Sequence, residues 1–203
     1  MYILCDDASP RLHYALDIIF NLHLQIDFEV IHSLDVAPRR AMLINYNKYK
    51  TERKNISIYP HPILNEDNIY AQGIRVSRSE EDLPYFFASY DFKGDYYFDL
   101  FALVFYMVSR YEEYLRFVPD EFGRFRSSQS LAYRNNFLKV PIADYWILHL
   151  KKSIERKWQI KIPLKRKFVI RPTFDIDIPF AFIHRPTWIH IPLIIRDLVL
   201  FRF

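Results

Sequence analysis

Ser9 to Val30 reads SPRLHYALDIIFNLHLQIDFEV, and the change of period inside it decides the fold class. Ser9 before Pro10 is an N-cap followed by proline at the first helical position. Leu12, Leu16, Ile19 and Phe20 then recur at helical spacing, which predicts a helix over about 10–22. From Ile26 the period drops to two: Ile26, Phe28 and Val30 alternate with Asp27 and Glu29, as in a half-buried strand. Short strand candidates follow at 41–45, 55–59 and 73–76, separated by polar and proline-containing connectors. Helix, strand and further short strands together predict a mixed α and β amino-terminal domain.

The strongest helical segment lies at 95–116. Its first half is apolar nearly all round, the pattern of a helix buried on several sides, and Glu112 and Arg116 are spaced to pair where it emerges. Its aromatics are expected to serve core packing rather than a sugar site. Pro119 to Phe125 is a turn-rich loop, and Pro141 opens a further helix through Ile142, Tyr145, Trp146, Leu148 and Leu150 towards Trp158. A basic connector carrying Pro163 comes next. The expected organisation is therefore a domain over 1–160 and, over 161–203, a linker and the start of a second domain.

Composition narrows the function classes. Hydrophobic residues make up 51% and aromatics 18% of the 203 residues, so the chain is of the globular kind. Cys5 is alone, which excludes an internal disulfide, and no secretory leader pattern opens the sequence, so a cytoplasmic location is expected. No apolar run approaches the roughly 20 residues that cross a bilayer, so no transmembrane segment is expected. The net charge of +4 is concentrated: 151–171 holds nine Lys or Arg against Glu155 alone. Without a nucleic-acid-binding motif this reads as a solvated face, and no nucleic-acid partner is expected. Gly73, Gly94 and Gly123 are too widely spaced for a phosphate loop, and neither a Gly-x-Ser-x-Gly elbow nor a Cys-x-x-Cys pair occurs.

The chemistry-bearing motif lies near the end, where Phe168-Val169-Ile170 runs through Arg171-Pro172 into Thr173-Phe174-Asp175-Ile176-Asp177. Read as a strand, it projects Asp175 and Asp177 from one face, where two carboxylates can share a metal or raise one another's pKa. Carboxylates at the carboxyl end of a barrel strand sit where barrel enzymes do their chemistry, although a hydrogen-bonded strand end is as common a use of the same tripeptide.

A series of motifs resembles the amino-terminal half of bacterial polysaccharide-deacetylase-like proteins, in which an α/β domain precedes a NodB-homology catalytic domain. It comprises Pro10-Arg11-Leu12, Tyr14-Ala15-Leu16-Asp17, Phe98-Asp99, Ser109-Arg110-Tyr111-Glu112-Glu113-Tyr114, Asp120 to Phe125, Ser130 to Tyr133, and Pro172 to Asp177. The resemblance implies metal-dependent removal of acetyl groups from a carbohydrate by a distorted β/α barrel, often with zinc. It assigns Asp175 as the general base that takes a proton from metal-bound water. The family's second, metal-binding Asp is replaced by Ile176, so Asp177 is the candidate metal ligand, reached through a bulge at the strand end. The His-x-x-x-His pair of the family is missing, and His184 and His190, six apart, do not replace it.

With 26 residues after Asp177, the chain is expected to hold only the first strand of an incomplete deacetylase-type barrel, to bind no metal tightly and to be inactive alone. Acetylated polysaccharide is the implied partner of the complete protein. The alternative is a non-catalytic glycan- or partner-binding or assembly module that uses the Tyr/Phe-rich surface and the Lys151 to Arg171 stretch; separately, the apolar tail from Ile189 to Phe203 is expected to favour self-association or attachment to a membrane surface.

Overall fold

The structure is a computed structural model that describes residues 1–163, 169–175 and 187–200. The chain divides into two compact units, Met1–Lys165 and Arg166–Phe203.

The first unit is built on four parallel strands: β1 (Tyr2–Leu4), β2 (Glu29–Ile31), β3 (Leu43–Asn45) and β4 (Ile56–Ser57), in the order β2-β1-β3-β4. In register, Ile3 lies opposite Val30 on one side and Ile44 on the other, and Ile44 opposite Ile56. Strand alternation sorts their side chains onto two faces. Ile3, Cys5, Ile44, Tyr46, Ile56 and Ile58 enter the main core, whereas Leu4, Ile31 and Leu43 join Ala37 in a smaller cluster. Tyr96 extends this sheet beyond β4: its N–H donates to Ser57 O, and its carbonyl accepts from Tyr59 N, both at 2.9 Å.

Helix α1 (Pro10–Leu16) starts where Ser9 caps it, the hydroxyl accepting from Leu12 N at 3.0 Å. It continues as a π-helix, Asp17–Leu24, and stops at Gln25, whose φ of 54° is left-handed. The strand that follows is shorter than the alternation predicts, because pairing with β1 starts only at Glu29. β3 and β4 lie within the predicted stretches at 41–45 and 55–59. The candidate at 73–76 is displaced, since pairing begins instead at β5 (Ser77–Arg78), antiparallel to β6 (Pro84–Tyr85).

Helix α2 (Leu100–Val108) is shorter than the 95–116 expected. Residues 96 and 98 are taken by bridges to Ile58 and Ala88, which need extended backbone, and Asp99 then caps the helix. At the far end Arg110 takes φ 56°, ending the α-helix before a 3-10 turn, Tyr111–Tyr114. This turn corrects the expected pairing of Glu112 with Arg116: Glu112 Oε1 accepts Leu131 N at 2.7 Å and faces Arg134 at 4.0 Å. It thereby holds α3 (Leu131–Arg134). Leu100 to Tyr106 are all buried, as the all-round apolar pattern requires.

Helix α4 (Ile142–Trp158) buries Ile142, Trp146, Ile147, Leu150, Ser153 and Ile154 along one side, and Gln159 ends it in left-handed geometry. In the second unit α5 (Thr187–Val199) contains Pro192, and no described helix is long and apolar enough to cross a membrane. Val169 to Asp175, the described part of the stretch read as the first barrel strand, take no regular secondary structure, and Phe168, Ile176 and Asp177 lie outside the described residues. A strand persists only as part of a hydrogen-bonded ladder, and no described strand pairs with this stretch.

Exposed, non-regular backbone is where proteases cut. Early chymotryptic cuts should include Phe174, 85% exposed, and spare the buried Phe101 and Phe105. Early cleavage at either α2 residue, read by mass spectrometry, would place that helix outside the core.

Candidate functional site

In this sheet β1 is central, and the chain leaves it first towards β2 and later returns to its other side as β3. Open parallel sheets bind ligands at such a switch point, outside the carboxyl ends of the strands. A crevice of about 310 Å³ lies there, lined by Cys5 to Asp7 after β1, Tyr46 to Tyr49 after β3, and Pro60, His61, Pro62 and Asn65 after β4.

The floor is fixed by a buried network around Asp99, which is fully buried at the start of α2. Its Oδ2 accepts the Tyr46 hydroxyl at 2.6 Å and the His61 amide at 2.7 Å, while Oδ1 accepts Ala102 N at 2.9 Å. Burial pushes the Asp99 carboxyl up to about 7, against hydrogen bonds that favour its ionised form. Burial also raises the Tyr46 phenol, with the Asp99 charge adding to the effect, so Tyr46 stays a protonated donor.

The His61 ring packs on Phe87 at 4.4 Å between centroids, and burial lowers its pKa to about 4. Its Nδ1 accepts Ile63 N at 3.3 Å, so the neutral ring carries its proton on Nε2. Burial, reinforced by the charges of Asp6 and Asp7, raises Cys5 to about 11; the thiol is therefore protonated and a poor nucleophile near neutral pH. At the end of β3, Asn45 donates through Nδ2 to Tyr49 O at 2.7 Å and so holds the loop that carries Asn47, Lys48 and Tyr49.

The accessible groups are two carboxylates, Asp6 and Asp7, the Lys48 ammonium, the Asn65 amide and the largely exposed Tyr49 ring. Together they offer donors, acceptors and a flat apolar surface, a set that can hold a polar, uncharged, polyhydroxylated ligand. Among the described residues no group of three His, Cys, Asp or Glu side chains is placed to hold a metal ion.

The two site residues read from sequence are elsewhere. Asp175 is exposed in the second unit, and Asp177 lies outside the described residues, as does His184. The crevice residues carry no motif. Their one local signal is position: Asp6-Asp7 and Asn47-Lys48 each follow a short apolar stretch, Ile3-Leu4-Cys5 and Leu43-Ile44, and so mark strand ends.

These features define a small open-sheet α/β domain with a polar crevice at its switch point. The chain belongs to a family of unknown function, DUF7033, whose model matches residues 1–159. No curated protein and no solved structure matches it. The matched span contains the whole crevice and ends before Asp175.

The floor generates two opposed pH dependences. Between about pH 4 and 7 the folded chain keeps the Asp99 proton that the unfolded chain has released, so this group makes stability fall as pH rises. His61 acts the other way: below about 6.5 the unfolded chain takes up a proton that the folded ring resists until about 4, so stability falls as pH drops. Relative to the unsubstituted chain, Asp99→Asn should make stability rise more steeply with pH across this window, and His61→Gln should make it fall. Each change in slope is bounded by about 1.4 kcal/mol per pH unit. Urea unfolding at a series of pH values measures both; unchanged slopes in the two variants would contradict the assignment.

Proposed function

We propose that this chain is the amino-terminal portion of a polysaccharide-deacetylase-like protein, whose complete form removes acetyl groups from a carbohydrate with a divalent metal, zinc for preference. Residues 1–160 then form a non-catalytic module that presents its switch-point crevice to the glycan. The observation that carries the reading is the motif series that runs through the matched domain and ends beyond it in Thr173-Phe174-Asp175-Ile176-Asp177. Asp175 is the general base of the complete site and Asp177 its candidate metal ligand, with 161–203 as linker and start of the β/α barrel. The remaining ligands, including the His-x-x-x-His pair, have no counterpart in these 203 residues. The chain alone is accordingly inactive, and a reducing cytoplasm suits its single protonated thiol.

The mixed donor and acceptor lining of the crevice supports the glycan role, since vicinal hydroxyls both donate to carboxylates and accept from ammonium and amide groups. Titrating the isotope-labelled 203-residue chain with acetylated chitooligosaccharide should shift the amide signals of Asn47, Lys48, Tyr49 and His61, with no acetate released with or without zinc. Metal-dependent acetate release that vanishes in Asp175→Ala would show that the chain is itself an enzyme. Crevice signals that stay still would remove the glycan role.

A second reading, an assembly module, is favoured by α5, where Trp188, Ile191, Ile194, Ile195, Leu198 and Val199 are all exposed. Covering one such side chain is worth roughly 1.5–3 kcal/mol, so several together favour self-association. Light scattering should then find the 203-residue chain oligomeric and a chain ending at Ile160 monomeric; two monomers would exclude this reading.

A further inference from the structure

A second cavity, of about 250 Å³, lies between the β5–β6 hairpin and α4. Its wall is aromatic: Tyr97, Phe98 and Trp146 line it together with Tyr96 and His149. These rings are held by one another, Phe98 and Trp146 at 4.7 Å and Trp146 and His149 at 5.2 Å between centroids. Trp146 Nε1–H donates to Pro84 O at 2.7 Å, which ties the hairpin to the helix and fixes the wall. Ring geometry of this kind forms a preorganised surface, with no ordering needed when a ligand arrives.

The rim is acidic. Glu80 and Glu81 sit on the hairpin turn, closed by Ser79 N donating to Leu83 O at 3.0 Å and Asp82 N donating to Ser79 O at 3.0 Å. Both carboxylates are exposed at the cavity and make no hydrogen bond or ion pair among the described residues. The third acid, Asp95, is already matched: Lys157 Nζ donates to its two oxygens at 3.0 and 3.1 Å, and Ser57 N donates to Oδ2 at 2.8 Å. No Lys or Arg lines the cavity. Burial, with help from Arg156 and Lys152 and against Glu81, lowers the pKa of His149, so the ring adds no opposing charge at neutral pH. Its Nδ1 is hydrogen-bonded to the Tyr96 hydroxyl at 2.8 Å, which in turn meets Ser153 Oγ at 3.0 Å.

Two unmatched carboxylates over a fixed aromatic wall, in a chain whose net charge is +4, make a local site for positive charge. A metal ion prefers several oxygens in a shell, which this wall lacks. An ammonium group gains from both features at once, donating to carboxylates while its polarised methylenes and charge rest on ring faces. We propose that this cavity binds a small organic ammonium cation, with Glu80 and Glu81 holding the charged head and the Tyr97, Phe98 and Trp146 rings its apolar stem. The inference is independent of the glycan reading and of the switch-point crevice.

The test compares n-butylammonium with n-butanol, which share length and stem and differ in charge, on the full chain by NMR titration. n-Butylammonium should shift the Trp146 indole and His149 signals and leave Asn47 and Lys48 unmoved, with n-butanol at least about tenfold weaker. Glu80→Gln with Glu81→Gln, both at exposed positions that leave the core untouched, should weaken n-butylammonium at least about fivefold without moving the n-butanol signals. Equal response to the two probes, undiminished binding in the double variant with an unchanged amide spectrum, or no response to n-butylammonium would each overturn the proposal.

Discussion

Asp99 reaches three separated stretches of the chain at once. It accepts from the Tyr46 side chain after β3, from the His61 backbone after β4, and from the first turn of α2. The Tyr46 and Ala102 donors are buried and the His61 amide partly so, and a buried donor left unmatched costs about 1–3 kcal/mol. The carboxylate therefore does more than cap a helix. It sets the distance between the sheet's carboxyl edge and the helix behind it, so the crevice floor and the main core share one fixed point. An alanine there would keep the apolar pattern of α2 intact and still leave the two loops without a common anchor.

How much of this is legible in the sequence depends on how far a signal extends along the chain. Helices α1 and α4 are legible because their apolar residues repeat over several turns, and Pro10 and Pro141 stand at their entrances. Tyr2–Leu4, by contrast, is too short for its alternation to register, yet it is the central strand. Both ends of α2 are misjudged from pattern alone because Asp99 at its start and Arg110 beyond its end act through burial and backbone geometry, not through hydrophobic spacing. The crevice is illegible for a related reason: Asp6, Lys48 and His61 are brought together only by strand order. Asp175 and Asp177 present the opposite case. Their closeness is plain in the sequence, but their chemistry depends on partners from other elements.

The aromatic richness of the chain has a structural use that its percentage does not disclose. Phe20, Phe101 and Tyr46 join α2 to the sheet's main-core face, while Tyr85, Phe98 and Trp146 join the hairpin to α4. Such contacts add about 0.5–1.5 kcal/mol per pair beyond area burial and prefer particular angles. They fix orientation as well as distance. Two-residue strands such as β5 and β6 have too few ladder bonds to hold a position by themselves, and ring packing supplies what the backbone lacks.

The strand order also bears on how the chain emerges from the ribosome. β1 is made first but sits in the middle of the sheet, and the main core that its Ile3 enters with α1 is completed only by α2 residues made some hundred residues later. A nascent chain stopped after β4 would have all four strands and α1, but neither the α2 side chains of the core that Ile44 and Ile56 enter nor Asp99 to engage Tyr46. Domains of this kind fold as units, so the sheet is expected to wait for residues 99–108, and the interval before their arrival is when its apolar face is open to chaperones or to another nascent chain.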